Sequence, residues 1–469
     1  MTNVLQRLED LSSEQFIHMS GIGGSAMNGL AVLLTQHGYR VRGTDPSIDA
    51  ATMARLQHHG IEVSTVQDGS ALSPDTQLVV TTAALPNNHP ELVVAQKQSI
   101  PILKYAAMLG VVMNSSTGIA VAGTHGKTTT TAMIVSALRG AGRDPGFVIG
   151  GYVDQFGAGA YGGKDCFVAE ACEYDRSFLN LKPSIALITN IEADHLDIYS
   201  GIDDIIDSFS AFSQNIRKDG CLVYCAESPA ARTLARRFNG RSISYGFKDA
   251  EYMATDILNR DGVLTFTIQH QNYPVSTVTL KLPGRHNVLN ALGAFCAGIQ
   301  LGCAPESLSL GLSDFAGVQR RFETIGAVNG IHIIDDYAHH PTEIQALLEG
   351  ARDRFPDARI VVAFQPHQIS RTKFFFNDFA ASFELADKVF LPDIYVARDT
   401  EAPPEITSEK LAERMKSNHT DAEYTRNFDE TAKRAATFLQ SGDLFVTVGA
   451  GNVYDVAHRV LDILTQKFS

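Results

Sequence analysis

Residues Val121 to Met133 read VAGTHGKTTTTAM, and how this stretch is read decides the rest of the chain. Gly126-Lys127-Thr128 ends a phosphate-loop pattern, G-x-x-x-x-G-K-[ST], yet Val121 stands where its first glycine belongs. A bare Gly-Lys-Thr also fits a capped helix start, so the surroundings decide. STGIAVAG before it is an apolar strand; TTTTAMIVSALRGAG after it is a helix pattern that Gly142 stops. A loop between a strand end and a helix N-terminus carries unpaired N–H groups and the positive end of the helix dipole. The reading is a nucleotide site. Gly123 and Gly126 allow close backbone approach, Lys127 neutralises β- and γ-phosphate oxygens, and Thr128 is placed to hold Mg²⁺.

Such a loop needs hard oxygen ligands nearby. CFVAE ends in Glu170, with Glu173 and Asp175 beyond it. ALITNIEADHLD offers Glu192, Asp194, His195 and Asp197 after another strand. Two acidic clusters, each closing a strand downstream of the loop, point to a Mg²⁺ site.

Near the start, GIGGSAM comes after the strand FIHMSG and opens a helix that Gly38 closes. It fits G-x-G-x-x-A with Gly21, Gly23 and Ala26, and Asp45 falls where a ribose-binding acid sits. The geometry suits NAD and a nucleotide-sugar diphosphate equally.

The chain of 469 residues is too long for one core. Strands and helices alternate through the first segment and restart at STGIAVAG, which implies parallel, doubly wound sheets. Residues 252–282, rich in Val, Thr, Ile and Tyr with turn signals at NRDG and QNYP, read as antiparallel hairpins. From about Gly317, the strands GIHIIDDYAHH, ARIVVAFQPH, ADKVFLPD and DLFVTVGAG carry polar residues at their C-terminal ends, where ligands bind in open α/β sheets. The formal charge of −13 disfavours a nucleic-acid or anionic-membrane partner. The first residues show no signal-peptide pattern, no apolar run has membrane length, and six cysteines form no C-x-x-C pair. A cytoplasmic protein is expected.

Taken together, VAGTHGKTTTTAMI, EACEYDRSFLNLKP, TNIEADHLD, GRHNVLNALGA, RRFE, DDYAHHPTEI and FQPH resemble the Mur ligases, in order, over nearly the whole chain. The resemblance implies an α/β protein of three domains. These are a Rossmann-like UDP-sugar domain at 1–116, a central P-loop ATPase-type α/β domain with antiparallel hairpins at 117–316, and a Rossmann-like C-terminal ligase domain at 317–469. It implies ATP-dependent amide formation with ATP and Mg²⁺, through an acyl phosphate, joining L-alanine to UDP-N-acetylmuramate in peptidoglycan precursor synthesis. The expected enzyme is a monomer or weak homodimer. A ligase of cell-wall recycling, adding a ready-made tripeptide to the same sugar nucleotide, is the alternative within the family. An NAD-dependent dehydrogenase would fit GIGGSAM alone but leaves GTHGKTTT unexplained.

Residue by residue, the resemblance wraps the ATP phosphates in Gly123, Thr124, His125, Gly126, Lys127, Thr128 and Thr129. Asn287 and Asn290 face adenine, and Arg321 reaches the nucleotide phosphates. Thr128 and Glu170 hold one Mg²⁺, and His195 helps to hold a second. Lys127, Glu170, His195, Arg321 and His339 form the candidate catalytic set; the choice between His339 and His340 as proton acceptor stays open. Gly21, Ile22, Gly23, Gly24 and Ser25, with His367 and Arg371, contact the UDP-sugar. Two departures stand out. Gln368 replaces the family's arginine after FQPH, and EACEYD places Cys172 between two glutamates, where it is expected to pack and not to react.

Overall fold

A computed structural model describes residues 15–163, 166–196, 198–396 and 405–468. The N-terminal stretch 1–14 and Asp197 lie outside them. The first sheet has strands β1 (Phe16–Ser20), β2 (Arg40–Thr44), β3 (Glu62–Ser64), β4 (Thr76–Thr81) and β5 (Ile102–Lys104), all parallel, in the order β3-β2-β1-β4-β5. All of β1 is buried, as a central parallel strand must be. The strand order reverses beside β1, so the glycine loop at its C-terminal end opens on the crevice where such sheets bind ligands.

The second sheet holds β6 (Thr117–Ala122), β7 (Gly146–Val153), β8 (Gly157–Ala160), β9 (Cys166–Glu170), β10 (Ile185–Ile188), β11 (Cys221–Cys225), β12 (Arg241–Gly246), β13 (Tyr252–Arg260), β14 (Val263–His270) and β15 (Tyr273–Leu280). Their order is β15-β14-β13-β12-β11-β10-β6-β9-β7-β8. Strand β6 lies between β10 and β9, parallel to both, so the loops at the C-terminal ends of β9 and β10 flank the phosphate loop after β6. The expected hairpins are β13, β14 and β15. The antiparallel pair β7–β8 is a feature the sequence did not announce, because GFVIGGYV and GAGA carry too many glycines for a strand pattern. The packing explains them. A Cβ on Gly29 of the helix Ser25–Gln36 would lie 2.6 Å from the Ala158 carbonyl oxygen, and one on Gly159 would collide with the Gly29 backbone. The first unit rests its helix directly on this glycine-lined edge. One hydrophobic cluster accordingly runs from Ile17 and Met19 of β1 to Ala120 and Ile188 in the second sheet.

The third sheet holds β16 (Glu323–Val328), β17 (Ile331–Asp336), β18 (Ile360–Phe364), β19 (Lys388–Leu391), β20 (Ala422–Tyr424) and β21 (Leu444–Val448), in the order β16-β17-β21-β18-β19-β20. Among these, β16 runs antiparallel and the others are parallel. Among the described residues no helix is long and apolar enough to cross a membrane, and the six cysteines are unbridged.

Candidate active site

Val121 is fully buried in β6, so the chain is still strand where the usual pattern has its first glycine. The turn begins at Gly123 (φ 141°) and ends at Gly126 (φ 78°), both in the left-handed region that favours glycine. A Cβ on Gly123 would strike Thr189 Oγ1, and one on Gly126 would lie 2.7 Å from Asn290 Oδ1. Neighbouring strand ends hold the loop: Thr124 N–H donates to the Asn190 carbonyl at 3.1 Å, His125 N–H donates to Asn190 Oδ1 at 2.8 Å, and Thr189 Oγ1 donates to the His125 carbonyl at 2.6 Å. Among the described residues no side chain caps the helix Lys127–Gly140. Its first N–H groups are therefore left for an anion.

Lys127 Nζ turns back on the loop, donating to the Gly123 carbonyl and, at 3.0 Å each, to the Thr124 carbonyl and Glu173 Oε1. Burial acts to lower the lysine's pKa, but Glu173 and its acidic neighbours raise it on balance. Thr128 Oγ1 donates to Glu170 Oε2 at 3.2 Å, and Gly150 N–H donates to Glu170 Oε1 at 2.5 Å. Burial pushes the Glu170 carboxyl above its ordinary value despite those donors. His195 (φ 52°) brings Nε2 to 3.6 Å from Glu173 Oε1 and 3.8 Å from Asp194 Oδ2. Glu173 thus joins Lys127 to His195, while its Oε2 is buried without a hydrogen-bond partner among the described residues. Sequence patterning marks Glu173 only as one acid of a cluster, outside the candidate set. Its signal is position, three residues beyond Glu170 on the same loop.

On the other side of the loop is a cavity of about 180 Å³ lined by His125, Asn287, Asn290, Arg321, Asp336 and Glu343, among others. Asn287 and Asn290 are buried, with Asn287 Nδ2 donating to the Pro283 carbonyl at 2.7 Å and Asn290 Nδ2 to Asn287 Oδ1 at 3.2 Å. Neither amide faces open solvent. The Arg321 guanidinium lies 5.0 Å from the Tyr337 ring centre. Asp336 accepts from the N–H groups of Phe322 and Ala338 at 2.8 Å each; burial nevertheless pushes its carboxyl up to about 6.

The two adjacent histidines differ in kind. His339 Nδ1 faces two groups that only accept, the Tyr337 carbonyl at 3.0 Å and Glu343 Oε2 at 3.3 Å. Its proton therefore sits on Nδ1, and Nε2 keeps the lone pair. Burial holds the ring neutral, with its pKa down at about 4. His340 Nδ1 instead accepts from Thr342 N–H at 3.3 Å and caps the helix Pro341–Arg354, which leaves the proton on Nε2.

His125 has Nδ1 3.1 Å from Glu343 Oε1 and Nε2 3.3 Å from Glu192 Oε2. Burial alone would lower its pKa; the two carboxylates overcome this and raise it to about 9. Among the described residues His125, Glu192 and His340 also form a group with metal-ligand spacing, but His125 with both nitrogens on carboxylates is a cation, not a ligand. Linkage gives the sign. The pKa is raised from 6.5 to about 9, so this contact stabilises fully below pH 6.5 and is lost as pH rises through 9. The gain of wild type over His125→Gln in thermal unfolding should approach about 3 kcal/mol at pH 6 and fade by about pH 10. A difference that stays constant with pH would remove the charge assignment.

The remaining sequence candidates fall in two places. His367 stacks on Tyr395 (centroids 5.3 Å apart) and has Nδ1 3.3 Å from Arg371, whose guanidinium donates to Asp194 Oδ1 at 3.0 Å. Arg371 and His367 therefore stand beside His195, across the junction of the second and third units. Gln368, in the arginine position, has φ 69° and is buried, its N–H bonded to the Tyr395 carbonyl at 2.8 Å. In the first unit, Gly21 and Ile22 N–H groups bond the Thr44 carbonyl at 2.8 and 3.2 Å, while Gly23 N–H bonds Asp45 Oδ2 at 3.0 Å. Asp45 also accepts from Ser47 N–H at 2.9 Å, so each of its carboxylate oxygens holds one backbone N–H of the loop. Gly24 and Ser25 line a cavity of about 290 Å³ that extends past Lys104 to Glu170 and Cys172. Cys172 does not pack as expected: it is exposed on the wall of this cavity, where desolvation in the cleft and the Glu173 carboxylate push its thiol up to about 12.

Both glycine loops thus open toward Glu170, and the third unit meets the phosphate loop through Glu343 and the loop after β10 through Arg371. A nucleotide loop whose lysine, acids and histidines converge in this way defines a phosphoryl-transferring enzyme of three α/β units. Family models narrow that class: "Mur ligase family, catalytic domain" matches residues 16–117, "Mur ligase middle domain" 121–298, and "Mur ligase, glutamate ligase domain" 320–451. The chain belongs to the Mur ligase family. It is 41% identical to the UDP-N-acetylmuramate–L-alanine ligase of Solidesulfovibrio magneticus, covering 95% of this chain and 97% of that one. It is 40% identical to the enzyme of that name from Clostridium novyi, with coverage of 95% and 97%. Among solved structures, the UDP-N-acetylmuramate–alanine ligase of Thermotoga maritima superposes with a TM-score of 0.82 at 27% identity, covering 96% of this chain and 99% of that one. A murein peptide ligase from Psychrobacter arcticus gives 0.72 at 26% identity, with coverage of 96% and 98%.

Proposed function

We propose that this protein joins L-alanine to UDP-N-acetylmuramate with ATP, in cytoplasmic peptidoglycan precursor synthesis. The observation that carries the substrate pair is identity of 40–41% over 95% of the chain to two alanine-adding ligases. In this reading residues 1–116 take the UDP-sugar, 117–316 take ATP, and 317–469 close over both, in a monomer or weak homodimer with no nucleic acid or membrane partner.

The lactyl carboxylate attacks the γ-phosphorus, the bond to the β-phosphate oxygen breaks, and ADP leaves an acyl phosphate. The Lys127 ammonium and the uncapped helix start neutralise charge on the transferring group, and Arg321 steadies the nucleotide phosphates. The donor set suits Mg²⁺: Thr128 and Glu170 supply hard oxygens, and buried Glu173 Oε2 lacks a partner beside His195. A bound Mg²⁺ there would offset phosphate charge. L-alanine then loses an ammonium proton, its nitrogen attacks the acyl carbon, a second proton leaves, and the C–O bond to phosphate breaks. His339, neutral and with its Nε2 lone pair free, is the proton acceptor; His340, whose lone pair is engaged in a helix cap, is not.

The test is phosphate release from ATP and Mg²⁺ with UDP-N-acetylmuramate, with and without L-alanine. Release that needs both substrates is expected. Release with L-Ala-D-Glu-diaminopimelate but not with L-alanine would move the protein to the recycling reaction.

A further inference from the structure

Glu343 is the third residue of the helix Pro341–Arg354, whose cap is His340. A glutamate there commonly reaches back over the helix start. It does so here, Oε2 accepting from the His339 backbone N–H at 3.0 Å. Capping accounts for one bond only. The same Oε2 lies 3.3 Å from His339 Nδ1, and Oε1 lies 3.1 Å from His125 Nδ1 on the phosphate loop. The carboxylate lines the nucleotide cavity with Arg321, and next to it Thr342 Oγ1 donates to Glu192 Oε2 at 2.9 Å, a second bond across the same junction.

We propose that Glu343 is a positioning residue for both halves of the ligase reaction, one oxygen fixing the phosphate-loop His125 and the other fixing His339. The inference rests on the ligase reading above and deepens it. His125 belongs to the unit that handles ATP, and His339 to the unit that receives the amine. With one carboxylate between them, the loop is braced and the His339 lone pair is aimed only when the two units are docked. Phosphorylation of the sugar carboxylate and capture of the amine then share a single geometric condition. That condition guards the acyl phosphate, because an unbraced, open cleft would expose it to water.

Glutamine separates this role from helix capping. It serves equally well at the third position of a helix start. It has one acceptor where Glu343 has two, and its amide N–H₂ would face a protonated nitrogen on one side or the other. The first half-reaction is read by positional isotope exchange in ATP labelled at the β,γ-bridging oxygen, with UDP-N-acetylmuramate and no L-alanine. The second is read by single-turnover product formation after L-alanine is added. Glu343→Gln is expected to melt below wild type at neutral pH, where the His125 cation loses one carboxylate, and at a temperature where it is folded to slow each half about 10- to 100-fold, the range set by misplaced groups. His125→Gln should slow exchange, and adding Glu343→Gln to it should slow exchange no further. His339→Gln should slow only the amine step, again with no added loss in the double variant.

Wild-type rates in Glu343→Gln, with both halves lost and early melting in Glu343→Ala, would reduce the residue to a helix cap and overturn the proposal. Slowing of one half only would overturn it too. Should the Gln variant be unfolded at the assay temperature, Glu343→Asp keeps the charge on a shorter arm, and loss in both halves is still required. If wild-type enzyme releases no phosphate from ATP with UDP-N-acetylmuramate and L-alanine together, the ligase reading itself fails, an outcome distinct from those for Glu343.

Discussion

Lys127→Ala is expected to lower kcat by about 10²- to 10³-fold, the usual loss when one preorganised charge is removed from a transferring group. The KM values for UDP-N-acetylmuramate and L-alanine should barely move, because Lys127 lies in the phosphate loop and, among the described residues, bonds its carbonyls and Glu173. The variant also strands Glu173, a buried carboxylate that burial alone would push up and that Lys127 and His195 hold down. Removing one member of a buried pair costs about 3–5 kcal/mol, so Lys127→Ala should also melt early. Lys127→Ala/Glu173→Gln, read against Glu173→Gln alone, separates the two effects: it should melt like that single variant and turn over about 10²-fold more slowly than it. If the two turn over alike, Lys127 braces the loop and does not act on the phosphoryl group.

Much of this site is local in sequence, and that part was legible. The placement of Gly123, Gly126, Lys127 and Thr128 between a strand end and a helix start depends on backbone conformation and adjacency, which a short stretch encodes. Glu170 was legible because it ends the strand beside β6. The polar ends of β17 and β18 were likewise legible from strand patterning. What the sequence hid depends on contacts between units. Glu173 looks like one acid among several until the fold sets it between Lys127 and His195. Glu343 looks like a helix-start residue until His125 arrives from 218 positions away. Arg371, expected at the UDP-sugar, pairs with Asp194 only because the third unit docks on the second. The β7–β8 edge was hidden for the opposite reason: its glycines erase the strand pattern while serving a close helix contact. The difference between His339 and His340 was hidden as well, since it turns on which ring nitrogen faces an acceptor.

Glu170→Gln is the second large effect, and here function and stability should move in opposite directions. Burial raises the Glu170 carboxyl above its ordinary value even with Gly150 N–H and Thr128 Oγ1 donating to it. A carboxylate with a raised folded pKa costs stability at every pH above its unfolded value, because the folded state resists the charge. Glutamine removes that charge and can still accept from one donor. Metal-free Glu170→Gln should therefore melt at or above the wild-type temperature at about pH 7.5, well above the unfolded carboxyl pKa. Its activity should fall by about 10²- to 10³-fold, since it loses an anionic ligand for the cation proposed at Thr128 and Glu170. Thermal unfolding with and without Mg²⁺ and ATP reads the binding directly. Ligands that bind only the folded state raise its midpoint, so wild type should gain several degrees and Glu170→Gln little. An equal gain in both proteins would place the metal elsewhere in the cleft. A lower metal-free midpoint in the variant would mean that Glu170 holds the loop and Gly150 together as a structural acceptor. The expected pattern is the one in which a buried carboxylate is tolerated at a cost in stability because its charge is needed when nucleotide and metal arrive.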